Sequence, residues 1–283
     1  MLSKLTFTPA VGSAIDLHAS SGSYKVSRAE GIVGPPAPRD VLKVAPGRDG
    51  SLDDTRMVSH RDIVIEGEII GTSQTDVWTK WDALAAAFQS TMLSRGTLTV
   101  TLPDGTTQRQ ISVVLSGAAQ PSFEGGSAFL QYQVNLRAPD PRWLGTTVNS
   151  SALGISSSAA ATSSTNTVTS AGTAPALPTF TWTGGTGTGR LVDKVTVNVP
   201  SAYSSIAPGG SALILDDSPT ATPLAGGETV NTSTRISTLA GLSATTEWPA
   251  LYPGSSTWNW SIQTSSGSGG TTTCTMTWRD AWW

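Results

Sequence analysis

Charge all but stops at residue 142 of this 283-residue chain, and that break constrains the fold more than any single motif. The run FLQYQVNLRA (129–138) ends in PDPRW (139–143), and no charged side chain follows Arg142 until Arg190. Of 17 Lys and Arg, 13 lie at or before Arg142; of 20 Asp and Glu, 14 lie before it. Two differently composed halves meet there, and the length suits two domains better than one. The expected division is 1–143, a Ser/Ala/Thr-rich connection over 144–164, and a second domain over 165–283.

Composition closes off several classes. With 38% hydrophobic and 13% charged residues the chain has enough apolar content for cores and too little charge for an acidic disordered segment. No run approaches the ~18 apolar residues of a membrane span, and MLSKLTFTPAVG lacks the apolar stretch of a secretion signal. The expectation is a soluble chain with no membrane insertion. The single cysteine, Cys274, excludes an internal disulfide framework and a cysteine-rich zinc site. A net charge of −3 disfavours tight nucleic-acid binding.

In the first half, DIVIEGEIIG (62–71) alternates Ile63, Ile65 and Gly67 against Val64, Glu66 and Glu68, which reads as a strand. Ser73 to Asp76 has capping-box spacing. Apolar residues then recur at Val77, Trp78, Trp81, Leu84, Ala85, Phe88 and Met92, predicting an amphipathic helix over 74–93 that stops at Arg95-Gly96. Strands follow over 97–102 and 108–115 around the turn dipeptide Asp104-Gly105, and another over 129–136. Before them lies a polar arm, 31–61, rich in Pro, Gly, Arg and Asp (GPPAPRD, APGRDGSLDD). Two readings stand for a segment of that length and polarity: a surface loop, or a belt for oligomerisation or partner docking.

The second half opens with linker-like composition over 148–174, yet short β-branched and aromatic runs recur at 165–169, 179–183, 192–199, 212–216, 229–233, 256–263 and 271–279. No segment there has helical periodicity. The expectation is a mainly β chain: a β-rich α+β first domain with one helix, then a jelly-roll or galectin-like sandwich.

Chemistry is sparse. His18 and His60 are the only imidazoles and stand in separate polar segments, which gives neither a histidine metal site nor a triad an obvious start. Asp216 and Asp217, with Glu228 and Glu247, supply carboxylates, but adjacency in a strand points the pair to opposite faces, and a turn after Leu215 accounts for them. GGTGTG (184–189) lacks the helix and lysine of a phosphate loop. No catalytic residue, metal or cofactor is expected.

Ten tryptophans are the positive anomaly, five of them (Trp258, Trp260, Trp278, Trp282, Trp283) in the last 26 residues. Exposed Trp stacks on sugar rings, whereas buried Trp supplies core or interface area. Trp258 and Trp260 share one strand face and read as core; Trp282 and Trp283 need covering by their own domain or a neighbour.

These pieces, in order, resemble the distal tail (Dit-type) proteins of long-tailed phages, especially those of actinobacterial hosts, also described as minor tail or baseplate hub proteins. The likeness runs through VWTKWDALAAAF, LPDGTT, RAPDPRW, GTAPALPTFTWTG, EWPALYPGSSTWNW and TWRDAWW. Its most specific positions are Asp140, Pro141, Arg142 and Trp143; Trp248, Pro249, Leu251, Pro253 and Gly254; and Trp278, Arg279, Asp280, Ala281, Trp282 and Trp283. The resemblance implies a structural virion protein at the distal end of the tail. Six copies would form a ring with an open channel for DNA in transit, the first domain building the ring and a galectin-like domain projecting outward. Implied partners are further copies of the chain, the tail tube protein, the tail-associated hub protein, and in some phages receptor-binding proteins. The arm and the strand after it, with Arg39, Arg48, Asp49, Arg56, Arg61, Glu66 and Glu68, are the candidate assembly residues. A module that binds host cell-wall carbohydrate is the alternative; a cell-wall enzyme has almost no residue support.

Overall fold

The computed structural model describes residues 3–18, 22–44, 51–122, 128–156, 161–183, 192–198, 214–216, 228–231, 236–237, 250–264 and 271–283. It is mainly β with one helix, and it divides into two compact units, 1–146 with Trp283, and 147–282.

The first unit contains β1 (Lys4–Thr8), β2 (Ile15–His18), β3 (Tyr24–Glu30), β4 (Pro38–Val44), β5 (Ser51–Val58), β6 (Arg61–Ile70), α1 (Gln74–Gln89), β7 (Gly96–Thr101), β8 (Gln108–Leu115), β9 (Gln120–Ser122), β10 (Phe129–Ala138) and β11 (Trp143–Gly145). Its main sheet runs β2-β1-β7-β8-β10-β6-β3, with β9 on β10 and β11 on β8. The central pair β6 and β10 is antiparallel over ten residues, from Phe129 opposite Ile70 to Ala138 opposite Arg61. Alternation in β6 buries Ile63, Ile65, Gly67 and Ile69 and leaves Glu66 and Glu68 on the other face.

Helix α1 starts as its sequence dictates. The Ser73 hydroxyl accepts from the Asp76 amide at 3.2 Å, and the Asp76 carboxylate accepts from the Thr72 amide at 2.8 Å and from Lys80 Nζ at 2.8 Å. Val77, Trp81, Leu84, Ala87 and Phe88 are buried, and the Phe88 and Phe7 rings lie 4.5 Å apart. Burying each large side chain is worth roughly 1.5–3 kcal/mol. The helix ends at Gln89, four residues before the expected 93, because the Ser90 and Thr91 hydroxyls donate to the carbonyls of Ala87 and Phe88 and close the last turn. Met92 and Leu93, read as its final apolar residue and its end, are exposed.

Within the arm over 31–61, β4 and β5 pair antiparallel as a two-stranded sheet of their own. The Ser/Ala/Thr-rich segment 144–164 holds β11, all of β12 and the start of β13, and β11 pairs with β8.

The second unit contains β12 (Asn149–Ser156), β13 (Ala161–Ser170), β14 (Thr179–Thr183), β15 (Val192–Asn198), β16 (Ile214–Asp216), β17 (Glu228–Asn231), β18 (Ile236–Ser237), β19 (Gly254–Thr264), β20 (Thr271–Trp278) and β21 (Ala281–Trp282). Two antiparallel sheets result, ordered β12-β20-β14-β17-β18 and β13-β19-β15-β16. Serine and threonine strands form here because long partners hold them: β13 pairs with β19 over ten residues and β12 with β20 over eight. Among the described residues its core includes Val168, Ala174, Ala176, Leu251, Met276, Trp278 and Ala281. The segments 184–189 and Asp217 lie outside the described residues.

Candidate assembly site

Glu66 and Glu68, two residues apart on β6, project from one face of the sheet. Register sets Gln133 and Gln131 of β10 opposite them, and Arg28 and Lys25 of β3 on the other flank. Gln120 and Ser122 of β9 extend the row beyond β10. The result is an open polar groove of about 570 Å³ lined by these glutamates and glutamines with Ser27, Pro121, Ser122, Gly67 and Tyr132. Arg28 pairs with Glu30 and lies 3.6 Å from Glu66. Such a face offers many directional hydrogen bonds and two carboxylates, suited to docking a polar chain surface. The alternation over 62–71 marks the two glutamates; the glutamines were missed because nothing local says that β9 and β10 stand beside them.

The arm's root is built around Arg61, which opens β6 and is 4% exposed. Its Nε donates to the Pro141 carbonyl at 2.9 Å, and its Nη1 donates to the carbonyls of Gly31 and Gly34, each at 2.9 Å. Burial holds its pKa below the ordinary arginine value. Arg61 therefore faces its own chain. Gly31 (φ +74°) is required here, since a Cβ would sit 2.0 Å from the Asp62 carbonyl oxygen. Asp62 itself is exposed and pairs with Arg137 at 2.9 Å and His60 at 3.3 Å. Arg39 lies in β4 and Arg56 in β5, their side chains outside the described set, as are Arg48 and Asp49 altogether.

Several of the motif positions bond within their own chain. The Asp140 carboxylate binds the Arg142 amide at 3.1 Å and its guanidinium at 2.8 and 2.6 Å. Pro141 supplies the carbonyl that Arg61 reads, and Trp143 is buried. In the second unit Asp280 collects four donors. Ser170 Oγ (3.2 Å), the Ala171 amide (3.1 Å) and Trp278 Nε1 (3.3 Å) reach Oδ1, and Asn149 Nδ2 (3.1 Å) reaches Oδ2. Beside it the amides of Thr173 and Ala174 donate to the Ala281 carbonyl. Trp278 is buried, Arg279, Trp282 and Trp283 are partly covered, and Pro253 and Gly254 (φ +96°) are exposed. Trp248 lies outside the described residues, as do the side chains of Trp258 and Trp260. Among the described residues no group of His, Cys, Asp and Glu has metal-site geometry, and no helix is long and apolar enough to cross a membrane.

This two-unit, mainly β fold resembles one solved for a phage Dit protein. It is similar to the crystal structure of SPP1 Dit (gp 19.1), titled a paradigm of the hub adsorption apparatus in phages infecting Gram-positive hosts, with a TM-score of 0.61 over 98% of each chain at 14% identity. A phage P2 baseplate structure in its activated conformation with Ca aligns at a TM-score of 0.49 and 8% identity, over 94% of this chain and 99% of that one. No protein-family model and no curated protein sequence matches the chain.

Proposed function

We propose that the chain is a structural protein of a phage tail tip, forming a ring of six copies that joins the tail tube to the tail-associated hub and its receptor-binding apparatus. The observation that carries this reading is the Dit-type fold shared along nearly the whole length of both chains. The arm supports it: among the described residues β4 and β5 pair only with each other, and a two-stranded hairpin is at best marginally stable alone. Each strand keeps one edge of backbone donors and acceptors for another chain. A neighbouring copy is the natural recipient, with the arm residues Arg39, Arg48, Asp49 and Arg56 and the face of Glu66 and Glu68 as contact sites. A mildly acidic chain suits a channel through which DNA slides without adhering. The second unit, read as galectin-like, projects from the ring, and the protein works as a scaffold at the distal end of the virion tail, without catalysis.

Light scattering coupled to size exclusion, with images of the peak, tests this. A particle of six times 29.2 kDa is expected, alone or when tail tube protein is added. Deleting the hairpin 38–58 should leave a folded monomer without rings. Rings that persist would remove the arm's role, and a monomer under both conditions that binds host glycan saturably would replace the ring with the carbohydrate-binding alternative.

A further inference from the structure

We infer that Arg61 is a clasp that makes the root of the hairpin arm and the segment leading into the second unit move together. Its guanidinium holds carbonyls from two stretches 107 residues apart in sequence at their near ends, Gly31 and Gly34 on one side and Pro141 on the other. These acceptors are main-chain atoms, so the contact reads backbone position: neither stretch can shift by much more than a bond's tolerance without breaking its hold. The group is buried, which strengthens each bond and leaves no water to replace a lost one. Nearby charges leave it undivided. Asp62, the adjacent carboxylate, is taken by Arg137 and His60, and Asp140, flanking Pro141, is taken by Arg142.

Both sides of the clasp are stiff enough to transmit a displacement. On the arm side, Gly31 lies directly on the Asp62 backbone. On the other, the Asp140–Arg142 bracket closes a turn around Pro141, and buried Trp143 anchors the next residue. A planar fork can hold all three carbonyls at once, whereas a lysine ammonium is a point donor on a flexible stem and cannot. The coupling belongs to the single chain. Its use, to report at residues 139–143 that an arm has been seated, rests on the ring reading.

Hydrogen exchange on the full-length chain tests it, reading the amides of Arg142 and Trp143 against those of 31–34. Gly34→Ala strains only the arm's root, since φ is +97° and no atom lies within 4 Å of the added methyl. It should speed exchange about tenfold at 31–34 and also at Arg142 and Trp143, with Leu84 and Phe88 of α1 unchanged. Arg61→Lys should loosen both stretches. Adding Gly34→Ala to it should then move the arm's root alone. Junction exchange that stays at the wild-type rate in Gly34→Ala or in Arg61→Lys overturns the clasp; if Arg61→Lys does not fold, Gly34→Ala decides. Particle mass, measured on the same samples, reports ring formation separately.

Discussion

Tyr132 fills the space that Gly67 leaves open. The two face each other across β6 and β10, and a Cβ on Gly67 would lie 2.7 Å from Tyr132 Oη and 2.5 Å from the Lys25 carbonyl oxygen. The glycine thus reads as an interruption in a strand only until its partner is seen: the ring crosses it and restores the packing that a side chain would have given. Among the described residues the buried hydroxyl has no hydrogen-bond partner, and burial, with Tyr24 adding to it, pushes its pKa well above the usual tyrosine range. Gly67→Ala should therefore destabilise the first unit by about 2–3 kcal/mol through overpacking against backbone. Tyr132→Phe should stay within about 0.5 kcal/mol or gain slightly, because no bond is lost. Urea unfolding followed by Trp fluorescence separates the two.

The start of α1 carries an acid-sensitive contribution. Hydrogen bonds from Lys80 and then from Thr72 hold the Asp76 carboxyl below its ordinary value of 3.8. A depressed folded pKa gives stability that is complete above the unfolded value and is lost as pH falls through the folded one. The wild type should thus lose this contribution only below about pH 4, and Asp76→Asn should flatten that part of the stability curve. Melting temperatures taken from pH 7 to 2 check the slope.

Asp280 should tolerate isosteric change poorly and complementary change well. Asp280→Ala strands four donors and should cost the second unit about 3 kcal/mol. Asp280→Asn keeps the oxygen facing Ser170, Ala171 and Trp278 but sets an amide against the Asn149 amide, costing about 1–2 kcal/mol. Adding Asn149→Asp exchanges donor and acceptor and should recover most of that loss in thermal unfolding; no recovery would mean that the Asn149 contact contributes little.

Glu66→Lys with Glu68→Lys reverses the charge of the polar groove without touching the core, since both side chains are only partly covered. Monomer stability should change by no more than about 1 kcal/mol. The ring expected under the proposed function should be lost from the light-scattering profile, and unchanged rings would take the groove out of the assembly surface.

Strand β8 was legible to its ends, because QRQISVVL alternates and follows an Asp-Gly turn, and the start of α1 was legible from Ser73 and Asp76. The helix end was not: Met92 and Leu93 continue an apolar stripe that the Ser90 and Thr91 hydroxyls break off. The hairpin β4–β5 and strand β12 escaped because their residues are polar or small and their pairing partners, not their own patterns, make them strands. Arg61 looked like one more charge on a polar arm, and only Gly31 and Gly34 hint that backbone must come close there. The donors to Asp280 come from three separate stretches, which no local spacing discloses.

Strand β12 opens the second unit by pairing, residue for residue, with β20, which nearly ends it: Asn149 stands opposite Trp278. β10, by contrast, completes its pairing with β6 at Ala138. On the ribosome the first sheet can therefore assemble while most of the later half is still unmade, whereas Asn149–Ser156 must wait as an unpaired strand until residues 271–278 emerge. The wait is filled by a serine-rich, uncharged sequence, NSSALGIS, that has little to offer a wrong partner. The absence of charge and the scarcity of large apolar side chains over 148–174, which first look like a linker, are thus a composition that suits a strand obliged to be translated long before it can pair.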